Sequence, residues 1–122
     1  MAVKNYSVVG SGSDKPRYFI IKWLALANGD TGSPYEGAEL ADRSVQILGT
    51  FGAGGTILME GSNDGGTTYN TLTDPQGVAI SKTAGSLVAV TEMAGLVRPR
   101  VSAGDGTTSL NVYMICRIKP YG

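Results

Sequence analysis

Histidine is absent from this chain, and cysteine occurs once. The first absence removes the commonest general base and the commonest neutral metal ligand. The second leaves Cys116 without an intrachain disulfide partner and too few thiolates for a zinc site. Cys116 sits in the apolar run Val112-Tyr113-Met114-Ile115-Cys116 and reads as a buried, inert thiol. Net charge is also missing, with ten basic residues against ten acidic ones. A nucleic-acid binder usually carries clustered Lys and Arg, so no nucleic-acid partner is expected. Long apolar runs are lacking too. The longest, Tyr18 to Ala27, is interrupted by Lys22 and is too short to cross a bilayer, and the opening MAVKNYSVVG has no signal-peptide core. The expectation is a soluble protein made in the cytoplasm, with no membrane partner. Ser and Thr are plentiful, but a nucleophile needs an adjacent base, and Glu60 and Asp64 beside a turn read as solvated charges rather than an acid/base pair. No enzyme activity, catalytic residue, cofactor or metal is expected.

What is abundant is glycine, 18 of 122 residues, against about 7% in average usage. Spread among Thr, Ser and Val, it suggests short strands joined by tight turns. The apolar runs argue against disorder, because a chain that cannot bury apolar surface lacks them. The length suits one domain. Residues 1–16, with GSGSDKP at their end, read as a flexible N-terminal arm that orders on a partner, and 17–122 as the domain. In RYFIIKWLALA, 17–27, both alternate sets are mostly apolar, which predicts a strand covered, at least in part, on both faces. A long loop follows over 28–42. Further strands are predicted over 43–51, 56–61, 67–72, 78–82, 87–91, 96–103 and 109–118. Pro99 lacks a donor, which places its strand at an edge or a bulge. The sum is an all-β fold of seven to eight short strands, a single-domain β-sandwich or jelly roll, with an all-β barrel as the alternative.

The stretch EGSNDGGTT, 60–68, fails the spacing of a calcium loop and lacks the lysine of a phosphate loop. It reads as a hairpin in which Asn63, Asp64 and Gly65 supply residues tolerant of positive φ. Asp74, Pro75 and Gly77 mark a second turn, and Asp105 and Gly106 a third. Trp23 reads as core. Val3, Tyr6, Val8 and Val9 of the arm, with Tyr35 and Tyr121, are the candidate partner contacts, since exposed aromatics are favoured interface anchors.

The order of strands and turns from SVQILGTFGAGGTILMEGSNDGGTTYNTLTDPQGVAI to LVRPRVSAGDGTTSLNVYMICR resembles the capsid decoration, or cement, proteins of tailed bacteriophages. That resemblance implies a virion protein on the outer capsid surface, assembled in the host cytoplasm. It implies a dimeric or trimeric homo-oligomer bridging subunits of a major capsid protein. Hairpins of this type, with an aromatic at the position of Tyr69, also resemble those of carbohydrate-binding sandwiches, which leaves a fibre or host-surface module as an alternative. A tail-tube or head-completion subunit is a third.

Overall fold

The computed structural model describes residues 2–10, 18–36 and 41–117. Its described residues form twelve strands and no helix. They are β1 (Val3–Lys4), β2 (Ser7–Gly10), β3 (Tyr18–Leu26), β4 (Thr31–Gly32), β5 (Tyr35–Glu36) and β6 (Ala41–Thr50). The second half adds β7 (Thr56–Ser62), β8 (Asn70–Thr71), β9 (Ser81–Lys82), β10 (Ser86–Ala89), β11 (Leu96–Ala103) and β12 (Ser109–Arg117). The count exceeds seven to eight because β1, β4, β5, β8 and β9 are two-residue segments. Such pieces are defined by their pairing and leave no periodic trace in sequence.

Two open sheets result, not a barrel. One runs β10-β6-β12-β3-β2; the other runs β1-β4-β11-β7-β8, with β5 also on β11 and β9 also on β7. They enclose one core. Ile21, Trp23, Val45, Ile47, Val112 and Met114 come from the first, and Ile57, Met59, Val97 and Val101 from the second. The sandwich read from alternation is therefore the fold. Along β12 the buried set is Leu110, Val112, Met114 and Cys116, the period of a strand covered on one face.

The double apolar pattern of β3 has two sources: Tyr18, Ile20 and Leu24 are apolar on the outer face, and a bulge carries Leu26 to the inner one. Phe19, Ile21 and Trp23 point inward, Ala25 adopts φ 57°, and inward packing resumes at Leu26. The pairing register with β12 shifts at the same place. A bulge puts an extra residue in one strand and so flips the alternation; Tyr18 and Leu24 are left exposed. Asn111 Oδ1 accepts from the Ala25 N–H at 2.9 Å, which satisfies the donor freed by the bulge. A second bulge lies at Asp42, φ 51°, opposite a register shift in β12.

Pro99 lies neither at an edge nor at a bulge. It pairs with Met59 inside β11. On the other side of β11, Leu96 and Val97 pair with β5 and Arg100 with β4. Pro99 thus falls in the interval between two short partners, where no ladder asks it for a donor. It is buried, and a Cβ on Gly32 would lie 2.6 Å from its Cδ and 2.5 Å from Trp23 Cδ1. Glycine at 32 is what lets β4 lie over the tryptophan.

Residues 2–10 lie on the body of the same chain. β1 pairs in parallel with β4, and β2 antiparallel with β3, so one short segment adds a strand to each sheet. Asp30 receives the Ala2 N–H on Oδ1 at 3.0 Å and the Ala27 N–H on Oδ2 at 2.9 Å. The sequence offered an arm awaiting a partner's edge; in the single chain these residues take up the edges of their own sheets.

Candidate functional site

The turn residues come first, because the stretch weighed as an ion or phosphate loop consists of them. Ser62 ends β7, and its hydroxyl accepts from the Gly66 N–H at 3.0 Å and donates to Asp64 Oδ1 at 2.7 Å. Asp64 Oδ1 also accepts from the Thr68 N–H at 2.9 Å. Gly65 and Gly66 take φ 78° and 93°, whereas Asn63 and Asp64 keep negative φ. Asn63 Oδ1 instead accepts from the Gly95 N–H at 2.8 Å. The stretch is a hairpin loop closed by β8 on β7, longer than a two-residue turn and stapled from within. The Thr68 backbone and the Ser62 hydroxyl hold the Asp64 carboxyl below its ordinary range.

Asp74 repeats the device, accepting from the N–H groups of Gln76 and Val78 at 2.9 and 3.0 Å, with Pro75 next to it in the chain and Gly77 at φ 79°. Asp105 joins two loops. Its Oδ1 accepts from the Thr107 hydroxyl and N–H at 2.6 and 2.8 Å, and its Oδ2 from the Ala53 N–H at 2.9 Å. The Thr107 hydroxyl, then the Ala53 and Thr107 backbone donors, hold this carboxyl at about 2, against an ordinary 3.8. Gly106 occupies the turn beneath it. A shallow groove of about 610 Å³ adjoins the first loop, with Asp64, Thr68, Asn70, Glu92 and Met93 among its walls. Its two carboxylates are already engaged: Glu92 accepts from the Thr73 hydroxyl and N–H at 2.5 and 2.8 Å, and these hold it below its usual range. No group of three His, Cys, Asp or Glu able to hold a metal occurs among the described residues.

The candidate contact residues divide. Tyr6, itself 37% exposed, meets the edges of Trp23 and Tyr35, with ring centroids 6.3 and 5.2 Å apart, and Tyr35 packs against the core. Trp23 is 0% exposed and its Nε1 donates to the Ser33 carbonyl at 2.9 Å; it offers no platform to a ligand. Val3, Val8 and Val9 are exposed. Tyr121 lies outside the described residues. Val9 pairs with Ile20, and Ile20 with Ile115, so these three form an apolar row across the outer face of the five-stranded sheet. Tyr18 flanks that row, and Leu48 and Leu87 lie farther along the same face; with Val9 and Ile115 they are exposed. Cys116 is buried, and burial pushes its thiol pKa up while the nearby Arg43 pulls it down.

A cluster that sequence reasoning missed lies on the opposite sheet. Glu60 is not solvated and is not paired with Asp64. Its side chain is 7% exposed, and each oxygen takes one guanidinium: Arg98 Nε on Oε1 at 3.2 Å, Arg100 Nε on Oε2 at 2.9 Å. The Arg98 guanidinium lies 3.6 Å from the centroid of the Tyr69 ring. The alternation in Arg98-Pro99-Arg100 was the available signal, since residues i and i+2 share a face. That Glu60 stands directly opposite Arg98 depends on register, which no short-range pattern supplies. Tyr69, the aromatic on which a sugar-binding reading rests, has one ring face occupied by Arg98.

Comparison of the chain with protein-family models, characterised proteins and solved structures returns no match.

Proposed function

We propose that this protein is a structural virion component. It binds the outside of a phage head as a homo-oligomer and stabilises the shell by bridging neighbouring major capsid subunits. The observation that carries the reading, beside the order of turn motifs, is the outer face of the five-stranded sheet. The core is complete without Val9, Tyr18, Leu48, Leu87 and Ile115, yet all five are exposed on that face or its rim. They form two apolar patches, Val9, Tyr18 and Ile115 at one end and Leu48 and Leu87 at the other, with the row Lys22, Tyr113 and Gln46 between them; apolar surface that the fold does not need marks an interaction site. The turn carboxylates accept from backbone donors of their own and neighbouring loops, which is the role of structural fasteners.

Stabilisation follows from mass action. A protein that binds only the assembled shell lowers its free energy by RT ln(1 + [L]/Kd) per site, about 2.7 kcal/mol at a hundredfold excess over Kd. Many sites on one lattice sum. The test mixes the purified protein with undecorated expanded shells and, separately, with a panel of bacterial-surface glycans. Co-sedimentation with shells at icosahedral stoichiometry is expected, together with its loss in Ile115→Asp. Binding to a glycan but not to shells would defeat the proposal.

A further inference from the structure

One buried carboxylate needs one positive charge to neutralise it, and Glu60 has two. The cluster therefore leaves one positive charge on the outer face of the seven-stranded sheet. Both arginines approach Glu60 through Nε; no described residue accepts from their terminal amino groups. These groups are reachable from solvent, since the Arg98 and Arg100 side chains are 25% and 39% exposed. Glu36, on the neighbouring row through its pairing with Leu96, is bonded to neither.

The geometry fixes the pair in advance. Glu60 holds both guanidinium groups from below, and Tyr69 stacks on Arg98 and limits its sideways motion. Immobilising a long side chain on binding costs conformational entropy, and here much of that ordering belongs to the folded monomer. Leu58 lies beside Arg100 and Thr71 beyond Glu60 in the same rows, a rim of apolar and hydroxyl groups around a polar centre. Pre-ordered arginine in such a setting is a favoured binding anchor, and its fork matches a carboxylate.

We infer that Arg98 and Arg100, held by Glu60 and Tyr69, form a docking site for a carboxylate side chain on an acidic segment of a partner protein. A phosphate backbone is the less suitable occupant, because nucleic-acid binders align many cations and this chain has no net positive charge. The inference rests on the protein being a binding module, and it stands whether or not the partner is a shell.

The test uses the isolated full chain and, as probe, a short oligoglutamate peptide with blocked termini, followed by nuclear magnetic resonance. The Arg98 and Arg100 Nε–H and Tyr69 ring signals are expected to shift together and to saturate. Arg100→Gln should weaken the peptide about tenfold, the scale of one lost charge-assisted hydrogen bond. Arg100→Lys keeps a charge over Glu60 but loses the fork; it should keep the wild-type Tm and still bind several-fold more weakly. Unmoved arginine signals, equal affinity in both variants, or tighter binding of a thymidine oligonucleotide at the same residues would each overturn the site. A protein that binds shells but fails with the peptide sinks this inference alone. One that binds the peptide but ignores shells sinks only the shell proposal.

Discussion

At the scale of single residues, acids in this molecule act as fasteners. Asp64, Asp74 and Asp105 each collect backbone donors from the turn that follows them. Asp105 also holds the Ala53 loop, and Thr108 ties the same two loops by donating its hydroxyl to the Phe51 carbonyl at 2.7 Å. This arrangement carries a pH signature. In the unfolded chain Asp105 titrates near its ordinary 3.8; in the fold it titrates at about 2. A carboxyl whose pKa is lowered by folding adds stability above the unfolded value and loses it as pH falls through the folded one. Asp64 and Glu92 shift in the same direction. Stability should therefore fall progressively from about pH 5 down to about pH 2. Asp105→Asn should lower Tm at pH 7 and flatten the slope in that window. Thermal unfolding followed from pH 7 to pH 2 measures both, and an unchanged slope in the variant would show that Asp105 is not a source of it.

At the scale of elements, the N-terminal segment is where sequence and structure part. Val3, Tyr6, Val8 and Val9 showed a strand-like pattern beside Gly and Ser, and the pattern alone does not say whose edge the strand joins. The chain's own edges are available: β4 offers Thr31 and Gly32, and β3 offers Phe19 to Lys22. Backbone bonds from Thr31 to Ala2 at 2.9 Å and from Ser33 to Lys4 at 2.8 Å hold the first crossing, and Tyr6 covers Trp23 between the two strands. Removing residues 1–10 should unpair one edge of each sheet, uncover the tryptophan and deprive the nearly buried Asp30 of one donor. A loss of 2 kcal/mol or more is expected, since large core deletions cost about 2–5 kcal/mol. That corresponds to a Tm drop of about 10 °C. A truncated chain that melts within two or three degrees of the parent would mean that the segment is not part of the folded unit.

At the scale of the whole molecule, legibility follows the range of the interactions. The long strands β3, β6, β7, β11 and β12 announce themselves, because an alternating face repeats within one segment. The turns do so as well, because Asp and Gly act on residues two to four positions away. The bulge that turns Leu26 inward after Ala25 and the burial of Glu60 were not legible, because both depend on which strands become neighbours. Those neighbours are far apart in sequence: Val3 with Thr31, Ile47 with Val112, Glu60 with Arg98. No sheet can be completed from one stretch of chain, and the two sheets share one core. Two consequences follow. Folding should be slow for the size, in the millisecond-to-second range of non-local β topologies. Unfolding should also be a single event, since neither sheet retains a buried face without the other. Trp23, the sole tryptophan, lies between the sheets against Pro99 and Gly32, so its fluorescence reports the core while far-UV circular dichroism reports the strands. In a urea titration the two signals should trace one transition with one midpoint. Separate midpoints would mean that one sheet survives the loss of the shared core, and the sandwich would then have to be treated as two units.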